Sequence, residues 1–399
     1  MTPPSSARAV VDRGRPAQDF DLHGVVGVRV VDATSDDIAT VRRQLGPLEG
    51  ALDREPDITV RFVDDLAPVP LTLVGIGDSG FDDDRFYLLR GNGGADGRAS
   101  LSFDTIGRGL EIVCERRLPA VPHLIAVVNL AALGKGVLPL HATAFNSGST
   151  GVLVAGWSKG GKTETLLGAM SDGADYVGDE WVYLTDDGRM LGLPEPVRVW
   201  DWQLAQLPHL LQARPAGDRR RLAAWRGLTR VAASAARHRL PGSSLARRAR
   251  PVLGRQTYLQ IPPADLFGPE RVSLQGHLDV VVLVMSHEDP RTLTRPVAAG
   301  EVAQRMQASL EEERAPLMTH YRQFRYAFPD RSSPAIDTAA ERESKLLAAL
   351  LDDRPAVKVL HPHPCDLRIL GRTVMAGVRT ACDDAAAGRT ASGPGQPAS

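Results

Sequence analysis

The glycine-rich segment GWSKGGKT, at Gly156–Thr163, is the feature that most limits what this chain can fold into. It fits the pattern G-x-x-x-x-G-K-[ST], known as Walker A. The preceding stretch, GVLVAG, predicts a strand, and the following stretch, KTETLLGAM, predicts a helix from about Lys162. In this context the glycines let successive backbone N–H groups point inward, and the helix N-terminus adds partial positive charge. The segment therefore predicts a phosphate-binding loop in an α/β fold.

ATP with Mg²⁺ is the ligand that this loop predicts. Lys162 can reach the outer phosphates, and the Thr163 hydroxyl can ligate Mg²⁺, which prefers hard oxygen ligands. Lys159 either adds a phosphate contact or is simply solvated. A chance glycine-rich turn is the alternative, and the agreement of motif, strand and helix argues against it. We expect the nucleotide to contact the following residues: Gly156, Trp157, Ser158, Lys159, Gly160, Gly161, Lys162, Thr163 and Glu164.

Two acids and a histidine flank the loop in sequence. Asp179 and Glu180 end the short predicted strand DYVGDE. Acids in such a place can hold Mg²⁺ or accept a proton from an attacking hydroxyl, and the alternative is a plain surface turn. His141 lies in an apolar predicted strand, VLPLHATAFN, where a histidine is usually a satisfied core side chain. The residues alone leave the role of His141 open.

The order of these features resembles the HPr kinase/phosphorylase family, whose core is shared with ATP-type phosphoenolpyruvate carboxykinases. The likeness runs from about Leu140 to Leu184 and continues more weakly to about residue 370. It implies a P-loop kinase core, a mixed sheet with flanking helices, that transfers the γ-phosphoryl group of ATP to a hydroxyl. It also implies roles for single residues. Asp179 would be the general base, His141 and Lys162 would lie at the transferred phosphate, and the metal ligands would be Thr163, Asp179 and Glu180.

The sequence departs from that family at several points. Lys159 stands where a glycine is expected, Glu180 stands where the family usually has aspartate, and its later arginine-containing signature is not found. We therefore expect a relative that phosphorylates a peptide, protein or small molecule rather than the sugar-transport carrier protein. A nucleotide-binding regulatory protein with little catalysis is one alternative. A carboxykinase-like enzyme is another, although its metal-binding Lys/His pair cannot be placed.

We predict four parts along the chain: a disordered lead (1–18), an N-terminal α+β region (19–120), the kinase-like domain (121–380) and a disordered tail (381–399). Ser35 is the predicted cap of the first helix. An arginine-rich helical insertion is expected near 205–255, with twelve arginines between residues 214 and 255 and Asp218 as its only acid. It could receive an acidic substrate, touch nucleic acid or form a solvated face. Within it, Arg255 is the predicted substrate-binding arginine.

Composition limits the partners and the compartment. The chain is 43% hydrophobic and 24% charged, with a net charge of -1, so charge does not draw it to nucleic acid or to a membrane. Its three cysteines are far apart, which favours a reducing compartment. We expect a cytoplasmic protein without a membrane partner, and a homo-oligomer is left open. The alternation of His361, His363 and Cys365 could suggest a metal site, but the intervening prolines and the missing fourth ligand argue against it.

Overall fold

The structure is a computed structural model of mixed α/β type, with several sheets and flanking helices. It describes residues 17–66, 70–75, 77–90, 96–212, 214–237 and 257–391. The predicted mixed sheet with flanking helices is therefore confirmed at this level. The predicted substrate arginine, Arg255, lies outside the described residues.

The N-terminal part forms one eight-stranded sheet with a helix against it. In the sheet, the order is β1-β2-β3-β8-β7-β6-β5-β4, and only the pairs β2–β3 and β3–β8 are parallel. These elements are β1 (Gln18–Leu22), β2 (Val26–Val31), α1 (Ser35–Leu45), β3 (Ile58–Val63), β4 (Thr72–Val74), β5 (Ser79–Phe81), β6 (Phe86–Arg90), β7 (Asp96–Leu101) and β8 (Leu110–Glu115), with a 3₁₀ turn at Phe103–Thr105. Strand β3 alternates buried and half-buried residues, as expected of a sheet with one face on the core.

The cap of α1 differs from the prediction by one residue. Thr34, not Ser35, is the N-cap: its hydroxyl accepts a hydrogen bond from the Asp37 backbone N–H at 3.3 Å. The Asp37 carboxylate in turn accepts from the Thr34 backbone N–H at 2.8 Å. This reciprocal capping box needs an acid three residues after the cap, and Asp37 stands at that distance from Thr34.

The remaining chain contributes three sheets and the other helices. Its first elements are α2 (Leu124–Gly134), β9 (Leu138–Leu140), β10 (Thr143–Ser147), β11 (Thr150–Ala155), α3 (Lys162–Ser171), β12 (Asp175–Gly178), β13 (Val182–Leu184), β14 (Arg189–Gly192), β15 (Val197–Trp200), α4 (Asp201–Leu204), α5 (Pro208–Gln212) and α6 (Ala216–Arg237). There follow β16 (Tyr258–Ile261), α7 (Pro263–Phe267), β17 (Gln275–His277), β18 (Val280–His287), β19 (Leu293–Pro296), α8 (Ala299–Ala327), α9 (Pro334–Asp337), α10 (Ala339–Leu351), β20 (Ala356–Pro362) and α11 (Leu367–Ala391), with a 3₁₀ turn at Pro269–Arg271.

A six-stranded mixed sheet, ordered β12-β10-β11-β18-β20-β19, is the centre of this part. Strands β11, β18 and β20 are parallel neighbours, whereas β10 is antiparallel to both β11 and β12. A four-stranded antiparallel sheet, β17-β14-β13-β9, and the β15–β16 pair lie beside it. Because β10 reverses direction between them, β11 and β12 end at the same edge of the sheet at which β10 begins.

Helix α3 is held on this sheet by close packing against α11. A Cβ atom at Gly168 would lie 2.6 Å from the Leu367 carbonyl oxygen and 2.9 Å from Gly371 Cα, so the two helices touch through their backbones. The buried face of α11 includes Leu370, Val374 and Val378. Only glycine permits this approach at position 168, and the contact fixes the helix that follows the glycine-rich loop.

Helix α11 extends further towards the C-terminus than the sequence predicted. We expected disorder from residue 381, but the helix continues to Ala391. The sequence DDAAAGRTA in its last turns is rich in alanine, which has the highest helix propensity. Helical order therefore extends past the point where apolar residues become rare. Each helix within the described ranges is too short or too polar to cross a bilayer.

Candidate functional site

The sheet edge described above brings together the groups that the sequence singled out. Thr143 at the start of β10 pairs with Val154 of β11, and Ala144 pairs with Gly178 of β12. The glycine-rich loop follows β11, the two acids follow β12, and His141 precedes β10. Residues far apart in sequence therefore meet at one edge because the middle strand is antiparallel.

Steric limits explain the glycines of the loop. Gly161 has φ +111°, and a Cβ atom there would lie 2.0 Å from the Nε2 atom of the buried His361. A Cβ atom at Gly156 would lie 2.5 Å from the Val284 carbonyl oxygen at the neighbouring strand β18. Both positions exclude side chains, so the loop passes closely over β18 and β20 before α3 begins at Lys162.

Lys159 adopts a backbone conformation that favours glycine. Its φ is +62°, and its side chain is exposed. A non-glycine residue in the left-handed region costs roughly 1–2 kcal/mol. The observed angle explains why a glycine would be expected at this position, and this chain forms the turn with a lysine.

The Lys162 ammonium lies over the loop. Its Nζ donates to the carbonyl oxygens of Gly156 at 3.1 Å and Trp157 at 3.2 Å, and the residue is buried. Burial lowers the pKa of Lys162, while the carboxylates of Glu180 and Asp179 oppose that change. The Lys162 ammonium thus lies against the loop and interacts electrostatically with Asp179 and Glu180.

Asp179 is the most deeply buried acid of this edge, with 2% of its surface exposed. Its Oδ2 accepts a hydrogen bond from the Thr163 hydroxyl at 3.0 Å, and its Oδ1 accepts one from Thr143. Burial and the adjacent Glu180 charge raise the pKa of Asp179, against the two hydroxyl donors and Lys162. Asp179 therefore links the first turn of α3 to the start of β10 and holds a proton more readily than an ordinary carboxyl.

His141 joins Glu180 to a helix that lies far away in the sequence. Its Nε2 lies 2.9 Å from Glu180 Oε2, and its Nδ1 lies 2.5 Å from Glu313 Oε1 on α8, as an ion-pair contact rather than an aligned hydrogen bond. Its ring stacks on Trp181, with centroids 5.6 Å apart. Burial opposes protonation of His141, but the Glu180 and Glu313 carboxylates outweigh it and raise the pKa of the imidazole. His141 thus belongs to a charged network and is not a satisfied apolar-core histidine.

The oxygen ligands at this edge fit a Mg²⁺ ion. The Thr163 hydroxyl and Asp179 Oδ2 are in contact, and the Glu180 side chain is 42% exposed beside them. Mg²⁺ is usually held by one or two carboxylates together with substrate phosphates and water, not by an all-protein cage. Within the described ranges, no three histidine, cysteine, aspartate or glutamate side chains cluster so as to hold a metal. The three predicted metal ligands would therefore share the ion with a phosphate.

A loop cation, a buried proton acceptor and a hydroxyl ligand are the parts that phosphoryl transfer needs. Neither a family model nor a curated protein matches this sequence. The function must therefore be inferred from the chemistry of the site itself. That chemistry allows binding of a polyphosphate on the loop and acceptance of a proton beside it.

The other predicted loop residues line a second feature, a cavity of about 340 Å³ beside the loop. Trp157, which is 50% exposed, and Arg305 of α8 both line it. Further lining residues are Gly156, Ser158, Lys159, Gly160, Leu283, Val284, Met285, Ser286, Met306 and Ala308. Glu164 differs, since it is buried and its carboxylate accepts a hydrogen bond from Gln203 Nε2 at 3.0 Å. The structure thus pairs Glu164 with the helix that follows β15.

Several groups at the site were missed by the sequence analysis. Thr143, Trp181 and Glu313 contact the predicted residues directly. Thr143 and Trp181 are near neighbours of His141 and Glu180 in sequence, a signal that could have found them. Glu313 lies in the helical stretch EEER, where three adjacent acids carry no local sign of a site.

Glu195 is a further missed acid. Its Oε1 is buried and has no hydrogen-bond partner among the described residues. Burial, together with the charges of Glu180 and Asp179, raises the pKa of Glu195 well above its usual value. The negative charges of Asp179 and Glu180 therefore disfavour ionisation of Glu195.

His361 supports the loop through one of its ring nitrogens. Its Nε2 lies 3.0 Å from the Gly160 carbonyl oxygen, and its Nδ1 lies 2.8 Å from the Pro362 carbonyl oxygen. His363 packs edge-on against Trp202, with ring centroids 5.6 Å apart. The two imidazoles thus have separate environments, and the HPHPC alternation reflects packing.

Proposed function

We propose that this chain is an ATP-dependent kinase that transfers the γ-phosphoryl group to a hydroxyl of a peptide, protein or small molecule. The glycine-rich loop would be the phosphate loop of a P-loop kinase core of the HPr kinase and phosphoenolpyruvate carboxykinase type. The observation that best supports this proposal is the position of Asp179, a buried carboxyl with a raised pKa in direct contact with Thr163 of the loop helix. A proton acceptor next to the predicted metal ligand is what hydroxyl phosphorylation requires.

The proposed roles follow from the contacts at the sheet edge. Lys162, which now donates to two loop carbonyls, would turn its ammonium to the outer phosphates of ATP. Thr163, Asp179 and Glu180 would hold Mg²⁺, which supplies charge neutralisation on the phosphate oxygens. His141, whose pKa is raised by its two carboxylate neighbours, would orient Glu180 and, when protonated, contribute positive charge near the transferred group. Positioning and electrostatics would provide most of the catalysis.

Asp179 would orient the acceptor hydroxyl and take its proton as the new P–O bond forms. Its raised pKa favours this role, since a base works best when its pKa approaches the working pH. The enzyme would act in the cytoplasm, where ATP is available. The cysteines are consistent with that compartment, because Cys114 and Cys365 are buried free thiols.

The decisive experiment compares Lys162→Ala with Lys345→Ala in the full chain. Lys345 lies on the exposed face of α10 and pairs with Glu341, so its loss controls for removal of a lysine. We expect Lys162→Ala to abolish phosphoryl transfer from labelled ATP and Lys345→Ala to leave it unchanged. Normal transfer by Lys162→Ala would refute the proposal.

A nucleotide-binding regulatory protein with little catalysis is the second candidate. One observation favours it: both carboxylate oxygens of Asp179 accept hydrogen bonds from threonine hydroxyls, Thr143 and Thr163. An acceptor hydroxyl would have to displace one of them. Equilibrium binding of ATP, measured with single-turnover consumption of the bound nucleotide, separates the candidates. Tight binding without consumption in the presence of acceptors would favour the regulatory protein.

A further inference from the structure

A second, larger cavity lies on the His141 side of the site. It has a volume of about 550 Å³ and lies between α2 and α8. Leucines of both helices form its apolar walls, among them Leu130, Leu133 and Leu317. Ligand sites for small molecules usually have volumes of roughly 300–1,000 Å³ and mainly apolar walls with a few polar groups. The cavity is therefore of the size and character of a small-molecule site.

This cavity shares residues with the candidate active site. Trp181 and Glu313 line it, and the same two residues contact His141. Helix α8 connects it with the loop-side cavity, because Arg305 and Met306 line that cavity and the helix reaches the larger one about a turn later. A molecule in the larger cavity would therefore approach the site from the side of Trp181 and Glu313.

A buried carboxylate marks the far wall of the cavity. Glu343 of α10 is 4% exposed and forms an ion pair with Arg314 of α8 through Oε1. Its other oxygen, Oε2, has no hydrogen-bond partner among the described residues. Buried polar atoms are nearly always paired, so an unpaired one in a residue that lines a cavity marks a place where a partner is missing. A hydrogen-bond donor on a ligand would supply that partner.

We propose that this cavity is the acceptor site, and that the acceptor is a small molecule with an apolar body, a hydroxyl group and a hydrogen-bond donor such as an amine. The inference rests on the proposed kinase function and selects one of its acceptor classes. The donor would pair with Glu343 Oε2, the apolar body would fill the leucine-lined space, and the hydroxyl would point past Trp181 towards Asp179. The volume and the mainly apolar lining of the cavity match a small molecule better than the surface of a folded protein.

The reaction at this site balances as follows. The bond between the γ-phosphorus and the bridging oxygen of ATP breaks, and a bond forms from the acceptor oxygen to that phosphorus. The hydroxyl proton passes to the Asp179 carboxylate, and ADP leaves with the bridging oxygen. Asp179 then returns the proton to water.

The test offers γ-labelled ATP and a cell extract, divided into a dialysable and a retained fraction, to the full-length protein. Label is counted only in compounds other than ATP and inorganic phosphate. Ala126→Trp fills the cavity, and Ala349→Trp on the exposed face of α10 is its control. Glu343→Gln removes the unpaired carboxylate oxygen, and Glu341→Gln makes the same change on the outside of that helix.

We expect label in the dialysable fraction, at least tenfold less with Ala126→Trp, and about a tenfold rise in acceptor KM with Glu343→Gln. ATP affinity should be unchanged in all four variants. Label in the retained fraction, or transfer that Ala126→Trp leaves intact, would overturn the acceptor site while leaving the kinase proposal standing. If the wild-type protein bound ATP and labelled neither fraction, the proposed function itself would fail.

Discussion

Two carboxylates with equally low surface exposure, Glu115 in the N-terminal sheet and Asp179 at the candidate site, behave in opposite ways. Each is 2% exposed. Burial alone would raise both pKa values, yet the pKa of Glu115 is lowered by Arg117 and by the backbone N–H groups of Leu66 and Arg98. Glu115 accepts from these N–H groups at 3.0 and 2.9 Å, so its negative charge is stabilised where it lies.

Asp179 lacks that support. Burial raises its pKa most, the adjacent Glu180 charge raises it further, and the two neutral hydroxyls that donate to it do not offset these effects. The difference shows that a low surface exposure does not by itself fix the pKa of an acid. Asp179 lies deeper and loses more hydration, whereas the donors to Glu115 outweigh its burial. Glu115 anchors a loop to β8, and its charge contributes to folding. Asp179 is kept at an energetic cost, which is typical of groups retained for chemistry.

The strongest test of this contrast is Asp179→Asn. The amide is nearly isosteric but cannot accept the acceptor's proton, so we expect transfer to fall about 10²–10⁴-fold. Nucleotide binding should persist, and the free energy of unfolding should not decrease, because the variant no longer buries a carboxylate beside Glu180. Labelled-ATP transfer and chemical denaturation measure the two effects. Normal turnover by the variant would remove the base assignment.

Glu115→Gln should show the reverse pattern. Its amide group would face a backbone N–H that now donates to a carboxylate, so we expect the free energy of unfolding to fall by about 1.5–3 kcal/mol. Transfer by the folded fraction should equal that of the wild-type protein, because Glu115 lies at the end of β8 and not at the sheet edge of the site. A loss of transfer larger than the loss of folded protein would contradict its assignment as a structural anchor.

The pH dependence of stability should separate the two acids again. Because the pKa of Asp179 is raised in the folded protein, its ionisation lowers the free energy of unfolding. This cost is absent below the ordinary carboxyl pKa of about 4, grows as the pH rises, and is complete above the pKa in the folded protein, about 6. Because the pKa of Glu115 is lowered in the folded protein, its ionised carboxylate stabilises the fold above the ordinary carboxyl pKa. This stabilisation is lost as the pH falls through the lowered pKa of the folded protein. Relative to wild type, Asp179→Asn should therefore gain stability from pH 4 to 7, while Glu115→Gln loses it. Denaturation at a series of pH values measures both, and parallel curves would refute the contrast.

Local patterns were enough to predict the elements around the loop. A strand before Gly156 and a helix from Lys162 are both confirmed, because the two segments carry their own apolar pattern and glycine signals. Two predictions were wrong. Ser35 was predicted as the cap in place of the neighbouring Thr34, and disorder was predicted from residue 381, where the alanine-rich sequence continues α11.

Long-range contacts could not be predicted in this way. Sequence spacing does not show that β10 runs antiparallel between β11 and β12, although this order alone brings His141 to Glu180. Glu313 reaches His141 because α8 packs beside the site, and Glu343 of α10 pairs with Arg314 of α8, although both acids lie in stretches with several other charged residues. Tertiary packing, not local chemistry, therefore selects which of several acids becomes buried.

Lys159→Gly gives the smallest effect and extends the contrast to a cation of the loop. Glycine adopts φ +62° without a Cβ penalty, so the free energy of unfolding should rise by about 1 kcal/mol. ATP affinity then decides between the two roles left open for this lysine. If Lys159→Gly lowers the affinity for ATP at low salt, Lys159 contacts a phosphate. The strained backbone at Lys159 would then be retained for function, as the buried carboxylate of Asp179 is. If the affinity for ATP is unchanged, Lys159 is a solvated side chain on a turn that glycine would form equally well. A decrease in the free energy of unfolding would show that the left-handed backbone at Lys159 is not strained.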